Sequence, residues 1–353
     1  TEKKISGADI AMLPIEDIQA AVNLQAGVVN GHFRGGRSNE VKYLIDGVAV
    51  NDAFTGNSAL EAEVNSIQEL QVLTGTFNAE YGEALSGVVN QVTKIAGEKL
   101  EGDFSIYTGD YFSARKSVYQ NIEKIYPTDI YNLQGNLSGP VPGLENLIKF
   151  FISGRYVYYS GAMYGKRMFS PSDSSDFSNN DPAKWYVGST GDGKFVPMND
   201  SRRYTLQGKL SINTGSGTKG IVVSGLYQNQ EYKDYNHRFK LNPEGDYNRY
   251  QQSYLTSINY THLLSNSAFI DFLGSVVTTK YQQYVFEDPL DPRYVKPERM
   301  RDVSGNAFLT GGTENWHFDR PGKYIYAREG NKSWSLSYQP IRSKPTSFRC
   351  RHG

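Results

Sequence analysis

Apolar and polar residues alternate along most of the chain beyond residue 100. In residues 204–213 the alternation continues for ten positions, from Tyr204 to Asn213. A period of two places one set of side chains on each face of a β-sheet. The pattern therefore predicts a large antiparallel sheet. Its candidate strands, about eight in number, lie near residues 102–112, 131–138, 148–158, 204–213, 220–232, 252–262, 268–284 and 332–338.

The same alternation fits either a soluble sandwich or a membrane barrel. Three features favour the barrel. The segments reach about 10 residues, the length that a tilted strand needs to cross a bilayer. Their polar face is rich in Lys, Gln, Asn and Ser, and tyrosines crowd at strand ends, where an aromatic girdle lies. Long polar stretches at 161–203 and 285–323 alternate with a short candidate turn at 214–219, as in outer-membrane barrels.

The first 95 residues follow a different pattern. Residues 13–27 predict a short helix, with Pro14 in its first turn and Gly27 at its end. Asp46-Gly47 between two apolar runs predicts a β-hairpin, because both turn residues need positive φ. Short strands are expected at 70–73 and 88–92. These elements predict a compact α+β unit.

Composition changes at the same boundary. Residues 1–95 contain 12 acidic and 6 basic residues and two tyrosines, Tyr43 and Tyr81, of the 26 in the chain. Since the whole chain has 37 basic and 37 acidic residues, the first part has a net charge of −6 and the rest +6. The overall balance gives no support for a nucleic-acid partner. A single cysteine, Cys350, excludes an internal disulfide and a cysteine-based metal cluster.

Enzymatic motifs are absent from the sequence. Gly188 to Lys194 resembles a phosphate-binding loop, but Phe195 replaces the expected Ser or Thr and the flanks are loop. The five histidines have no metal-binding spacing. Asp173, Asp176 and Asp181 lack the EF-hand arrangement, so a solvated loop is the preferred interpretation over a calcium site. We therefore predict no catalytic site, no metal site and no cofactor.

The strongest signal lies in residues 33–94. This segment reads F-R-G-G-R-S-N-E-V-K-Y-L-I-D-G-V-A-V-N-D and, further on, S-I-Q-E-L-Q-V-L-T-G-T-F-N-A-E-Y-G-E-A-L-S-G-V-V-N-Q-V-T-K. It resembles the plug domain of TonB-dependent outer-membrane receptors, especially the Oar-like receptors that carry a carboxypeptidase-regulatory-like domain upstream. Residues 136–140 and 149–151 resemble the early barrel of that family.

The resemblance implies three regions: a plug domain at 1–96, the N-terminal part of an outer-membrane β-barrel at 97–339, and a tail of doubtful origin at 340–353. The implied fold is an α+β plug domain followed by antiparallel transmembrane strands. The family's barrel has about 22 strands, so about eight predict an incomplete barrel. The plug motif, with a packing or gating role, comprises Arg34, Gly35, Gly36, Arg37, Asp46, Gly47, Glu80, Tyr81, Gly82, Gly87 and Asn90.

By the same resemblance, the protein is a receptor in the outer membrane of a Gram-negative bacterium and not an enzyme. It would import a scarce solute with energy supplied by TonB together with ExbB and ExbD. Its other implied partners are outer-membrane lipid, an unidentified extracellular ligand and a surface lipoprotein. We expect Arg34, Arg37 and Glu80 to fix the plug against itself or against the barrel wall.

Two alternatives remain open: a non-transporting adhesin or receptor on the same scaffold, and a non-functional truncated gene product. Gln71, Thr74 and Thr76 replace the Glu, Arg and Pro of many siderophore-type plugs, which favours the Oar-like branch. The chain starts at Thr1 with neither an initiator methionine nor a signal peptide, so we expect that processing or fragmenting has removed the true N-terminus. After residue 339 the alternation stops, and we hypothesise that the tail is a frameshift or annotation artefact.

Overall fold

The protein contains two main sheets, one of five strands and one of nine. The structure, a computed structural model, describes residues 2–13, 15, 17–52, 55–75, 82, 84–116, 118–176, 179–213, 219–265, 268–288, 291–293, 300–301, 328–340 and 350–351. The small sheet lies within residues 2–93, here called the N-terminal unit, and the large sheet begins at residue 101.

The N-terminal unit combines short helices with short strands. Its elements are β1 (Glu2–Ser6), α1 (Gly7–Met12), α2 (Ile18–Asn23), β2 (Val28–Val29), β3 (His32–Phe33), β4 (Val41–Ile45), β5 (Val48–Ala49), β6 (Ile67–Thr74) and β7 (Gly87–Thr93), with 3-10 turns at Ser38–Glu40 and Val64–Ser66. The sheet order is β1-β6-β7-β4-β5, with β4 and β7 parallel and the other pairs antiparallel.

The helix expected at residues 13–27 is shorter than predicted. The Asp17 side chain caps α2 by accepting a hydrogen bond from the Ala20 amide, so this helix begins at Ile18. A separate helix, α1, ends at Met12, and Pro14 lies outside the described residues. The hairpin is confirmed: β4 and β5 flank Asp46 and Gly47, whose φ values are 50° and 82°.

The large sheet is an antiparallel meander with the order β8-β9-β10-β15-β16-β17-β18-β20-β21. The eight predicted strands are confirmed among the described residues. Their bounds are β8 (Glu101–Gly109), β9 (Ile130–Pro140), β10 (Ile148–Tyr159), β15 (Ser201–Asn213), β16 (Lys219–Tyr232), β17 (Asn248–Ser265), β18 (Ala268–Tyr284) and β20 (Arg328–Pro340). Short strands complete the chain: β11 (Tyr164–Lys166), β12 (Ser175–Asp176), β13 (Tyr186–Val187), β14 (Phe195–Pro197), β19 (Met300–Arg301) and β21 (Cys350–Arg351).

The long connections lie at one end of the strands of the large sheet, and the short connections lie at the other end. The short ones are 141–147, 214–218 and 266–267, and the long ones are 110–129, 160–200, 233–247 and 285–327. The long loops contact one another: the Lys166 amide donates to the Lys240 carbonyl oxygen at 2.8 Å, and β12 pairs with both β13 and β19. Within the described ranges, 3-10 turns also occur in these loops, at Pro182–Lys184, His237–Phe239 and Pro243–Gly245.

The two faces of the large sheet have opposite chemistry. Ser153 and Gln207 are only 2% and 3% exposed because they lie against the N-terminal unit, whereas Ile152 and Leu206, next to them in the chain, are 48% and 56% exposed. A soluble sandwich turns its apolar face inward, but a membrane barrel turns it outward toward lipid. The barrel interpretation is therefore the one that the sheet supports. In the part of the chain that the structure describes, no helix has the length and apolar character to cross a membrane.

Tyrosine rings line the end of the sheet nearest the long loops. Tyr131, on β9, lies 5.2 Å from Tyr158, on β10, between ring centroids. Tyr156 stacks on Tyr204, on β15, at 5.8 Å. A row of tyrosines at the ends of the strands is typical of the aromatic girdle of a membrane barrel.

Candidate functional site

A short segment of the N-terminal unit crosses the polar face of the large sheet. The Ala59 carbonyl oxygen accepts a hydrogen bond from Ser253 Oγ of β17 at 3.0 Å. The Glu61 amide donates to Gln228 Oε1 of β16 at 3.3 Å. Glu63, two residues further, reaches β10 and β15. From Ala59 to Glu63 the segment thus contacts four strands in succession.

Glu63 forms a buried ion pair with the large sheet. Arg155 Nη1 donates to Glu63 Oε2 at 2.8 Å, and the two side chains are 4% and 5% exposed. Arg203 Nε lies 3.8 Å from Glu63 Oε1, and Arg155 Nε donates to Asn132 Oδ1 at 3.3 Å. A buried pair of charges is stable only when hydrogen bonds and geometry offset the loss of water. Here one carboxylate lies between two guanidinium groups on neighbouring strands.

Glu61 is a second acidic group at this contact. Burial raises the pKa of Glu61 to about 7; the positive charge of Arg203 opposes that rise, and the carboxylates of Asp17 and Glu63 add to it. Burial disfavours the charged form of a carboxyl group. Glu61 therefore changes its charge near neutral pH, next to the Glu63 ion pair.

A second ion pair joins the hairpin turn to β15. Lys209 Nζ lies 2.9 Å from Asp46 Oδ2 and donates to the Thr93 carbonyl oxygen at 3.2 Å. Asp46 also accepts hydrogen bonds from the Thr93 amide and hydroxyl, at 2.8 and 2.7 Å. Gly47 lies at the tip, where an added Cβ would be 3.8 Å from Leu273 Cδ2 of β18. The turn is thus held by charge on one side and lies near an apolar residue on the other.

Strands β16, β17 and β18 make an apolar contact with the N-terminal unit. Leu226, Leu255 and Val277 are 3–5% exposed and belong to the same hydrophobic cluster as Val48 and Leu60. The expectation of a face made of Lys, Gln, Asn and Ser is therefore correct only in part for these three strands. Their other buried residues are polar: Ser224, Gln228, Ser253, Ser257, Ser275 and Thr279. Apolar side chains replace polar ones at Leu226, Leu255 and Val277 because they complete the core of the N-terminal unit.

The comparisons with known proteins agree with this arrangement. The model of the TonB-dependent receptor plug domain matches residues 2–89. Residues 2–89 therefore form a TonB-dependent receptor plug domain. A stretch of 106 residues is 27% identical to the TonB-dependent transporter Oar of Myxococcus xanthus and covers 28% of this chain and 10% of that protein. A stretch of 160 residues is 29% identical to the vitamin B12 transporter BtuB of Vibrio vulnificus and covers 44% of this chain and 25% of that protein.

Solved structures share the fold. The ferric enterobactin receptor of Pseudomonas aeruginosa, solved with enterobactin, superposes with a TM-score of 0.58 at 16% identity, over 96% of this chain and 46% of that receptor. The chain thus spans less than half of that receptor. A second family model, the supersandwich domain of glycosyl hydrolase 94, matches residues 303–353. The N-terminal unit is the plug, and the large sheet is the barrel wall.

The two predicted plug arginines lie on the surface of the plug. Arg34 and Arg37 are both exposed. The Arg34 amide donates to the Gly27 carbonyl oxygen at 2.8 Å. The Arg37 amide donates to Glu40 Oε2 at 3.1 Å, and its carbonyl oxygen accepts from Ser86 Oγ at 3.3 Å. These contacts are internal to the plug.

The predicted glycines lie in the turns of the plug. Gly35 and Gly36 follow β3, and the Gly82 carbonyl oxygen accepts a hydrogen bond from Lys42 Nζ at 2.6 Å. Gly87 begins β7, where an added Cβ would be 2.4 Å from Phe33 Cδ1. A side chain at this position would displace the buried Phe33 ring.

Asn90 supports the hairpin turn from the neighbouring strand. Its Oδ1 accepts from the Gly47 amide at 3.3 Å, and its Nδ2 donates to Gln71 Oε1 at 3.0 Å. Asn90 therefore belongs with Asp46 and Gly47 in one turn structure. The remaining two motif residues, Glu80 and Tyr81, lie outside the described residues.

The sequence analysis missed the charged contacts between plug and wall. Glu63, Arg155 and Lys209 were not among the candidate residues. A signal was present: Arg155 and Lys209 fall on the polar face of their strands, and the plug has a net charge of −6 against +6 for the rest. Basic residues on the inward face of a wall that surrounds an acidic domain indicate ion pairs with that domain.

The loop motifs have structural roles in the described parts of the chain. The phosphate-loop-like segment runs between β13 and β14, with no helix after it. Asp173 accepts hydrogen bonds from the Ser170 and Thr190 amides, both at 2.9 Å, and Asp181 caps the 3-10 turn Pro182–Lys184. No group of three or more potential metal ligands occurs among the residues whose placement is described.

Proposed function

We propose that the intact receptor imports a scarce solute across the outer membrane of a Gram-negative bacterium. TonB, with ExbB and ExbD, would supply the energy that displaces the plug. The observation that carries this proposal is the contact between plug and wall, in which Glu63 and Asp46 meet Arg155, Arg203 and Lys209. When charged and polar groups separate, they can form hydrogen bonds with water instead of with each other. A plug held by such groups is therefore suited to leave its site.

The extracellular side of the proposed receptor is formed by the long loops. The loops 160–200 and 233–247 are joined by backbone hydrogen bonds, such as that from the Met168 amide to the Leu241 carbonyl oxygen at 3.0 Å. Trp185, Tyr186 and Phe195 are 42–56% exposed on them. Exposed aromatic and polar groups on preformed loops suit a peptide, a glycan or a metal chelate. We propose that this surface and the outer face of the plug form the ligand site. Outer-membrane lipid would surround the wall, and a surface lipoprotein would be a further partner.

We propose the domain limits 1–96 for the plug, 97–339 for the barrel part and 340–353 for a separate tail. The last plug strand, β7, ends at Thr93, and the first wall strand, β8, begins at Glu101, which supports the first limit. We assign the plug motif, including Arg34, Arg37 and Asp46, a packing and gating role. The match to Oar over 106 residues supports the Oar-like branch.

Uptake measurements test the proposal. A strain that expresses the receptor gene would be supplied with vitamin B12, ferric enterobactin, oligopeptides or oligosaccharides as the limiting nutrient, with TonB present or deleted. We expect growth on one of these classes that needs both the receptor and TonB. Ligand binding to the cell surface without any TonB-dependent growth would favour the non-transporting receptor.

A further inference from the structure

Polar atoms without a protein partner cluster on one side of the plug. Ser153, Gln207 and Thr205 are 2–4% exposed. Their Oγ, Oε1 and Oγ1 atoms are buried and have no hydrogen-bond partner among the described residues. Ser153 lies opposite Gln207, and Arg155 lies opposite Thr205, in the register of β10 and β15. These groups therefore form one patch on the inner face of the wall.

The plug contributes atoms of the same kind, and so does the ion pair of Glu63 with Arg155 and Arg203, here called the latch. Both side-chain polar atoms of Asn65, two residues after Glu63, are buried and have no hydrogen-bond partner among the residues described. Arg203 Nε also lacks a hydrogen bond there, although it lies 3.8 Å from Glu63 Oε1 in the ion pair. The turn Val64–Ser66 that contains Asn65 lies against β9. The patch is thus polar on the plug side as well as on the wall side.

Such a concentration of polar atoms indicates water. A buried polar group without a partner is destabilising, and native proteins pair nearly all such groups with protein or with ordered water. A water molecule needs two to four polar partners, and the patch supplies them from both sides. We therefore interpret the polar patch on β10 and β15 as hydrated.

The contact with β16, β17 and β18 has the opposite character. Ser224 and Ser257 hydrogen-bond to each other at 2.6 Å, and Ser253 bonds to the Ala59 carbonyl oxygen at 3.0 Å. Leu226, Leu255 and Val277 join the core of the plug. Among the described residues of these strands, none that faces the plug core carries a buried polar atom without a partner.

A cavity lies below the hydrated patch. Its volume is about 480 Å³, and it separates the base of the plug from β8, β9 and β10. Lys94, Asp103 and Asn136 contribute polar groups to its lining, which also includes Phe151 of β10. The next inward-facing residue of β10 is Ser153, so the cavity and the patch follow one another along the same strand.

We propose that the plug is anchored to β16–β18 by apolar packing and separates from the barrel wall along a water-filled seam at β10 and β15, which the pair of Glu63 with Arg155 and Arg203 holds closed. The proposal deepens the gating role proposed above by locating the opening. Separating the seam exchanges polar contacts for water. Separating the anchor would expose apolar surface to water, which is unfavourable.

Thiol labelling of matched cysteines tests whether the seam at β10 and β15 opens more readily than the apolar anchor at β16–β18. Thr205→Cys and Val277→Cys are introduced separately into the chain with Cys350→Ser, because Thr205 and Val277 are equally branched and are 4% and 5% exposed. The folded protein in detergent reacts with hydroxyethyl methanethiosulfonate, a small neutral reagent, and each rate is divided by the rate of the denatured variant. We expect the seam cysteine to react at least about tenfold faster, as local opening predicts. Ser153→Cys and Leu226→Cys form a second pair if a variant does not fold.

A second measurement tests the latch. Glu63→Gln should speed labelling at Thr205→Cys several-fold and leave Val277→Cys unchanged, whereas Glu98→Gln, which alters an exposed pair with Lys149, should change neither. A ratio below tenfold, faster labelling at the anchor, or equal acceleration at both positions by Glu63→Gln would overturn the proposal. The assay contains no TonB, so a negative uptake experiment would count against the proposed function and leave this result standing.

Discussion

The Glu63 ion pair gives the most demanding test of how the plug is held. Glu63→Ala leaves Arg155 buried without its carboxylate, which costs about 3–5 kcal/mol in buried pairs. Asn132 keeps its hydrogen bond to Arg155 at 3.3 Å, so we expect the lower end of that range. With a urea dependence of about 2 kcal/mol per M, the midpoint for plug opening should fall by about 1.5 M.

The assay is amide hydrogen exchange in the plug strands β6 and β7, followed by mass spectrometry at increasing urea in the detergent-solubilised chain. Glu98→Ala is the matched control, because Glu98 pairs with Lys149 of the same wall strand while its side chain is 85% exposed. Exposed pairs contribute about 0–1 kcal/mol, so its midpoint should move little. Equal shifts in Glu63→Ala and Glu98→Ala would refute the reasoning.

Three further predictions concern neighbouring contacts, each read as the urea midpoint of plug opening. Lys209→Met should lower stability by about 1–2 kcal/mol, because Asp46 loses its charged partner; an unchanged midpoint would contradict this. Gly47→Ala should cost about 1 kcal/mol, since φ is 82°, and Ala49→Gly serves as a hairpin control. Because the pKa of Glu61 is raised from an ordinary 4.5 to about 7, its contribution to stability is complete below pH 4.5 and is lost as pH rises through 7. Glu61→Gln should remove that pH dependence between pH 5 and 8. If the urea midpoint of the variant still depended on pH, another group would be its cause.

Local chemistry in the sequence was sufficient to predict the hairpin and the wall strands. Asp46 and Gly47 specify their turn because few residues tolerate positive φ at two successive positions. Alternation specified which side of each strand faces the plug, as the burial of Ser153 beside the exposed Ile152 shows. Both features depend on residues adjacent in the chain, so no knowledge of the tertiary structure was needed.

Features that depend on distant partners were not predictable in the same way. Strand β1 has the sequence Glu-Lys-Lys-Ile-Ser and is exposed along most of its length. It forms a strand because it pairs with β6, from Glu2 with Leu73 to Ser6 with Glu69. Glu63 and Arg155 are likewise separated by 92 residues. The charge imbalance between the two parts predicts attraction, but the identity of each pair depends on how the plug sits in the wall.

The apolar residues on the inner face of the wall explain why alternation alone gave an incomplete description. A lumen filled with water favours polar side chains. Strand β15 follows that rule with Thr205, Gln207 and Lys209, whereas β10 alternates Ser153 and Arg155 with the buried Phe151 and Val157. The plug replaces water at β16–β18, where Leu226 and Val277 pack into its core. A domain held by polar contacts on every side would be released too easily, and one held by apolar contacts on every side would not open. The distribution of the two kinds of contact over different strands allows one interface to retain the plug and also to separate.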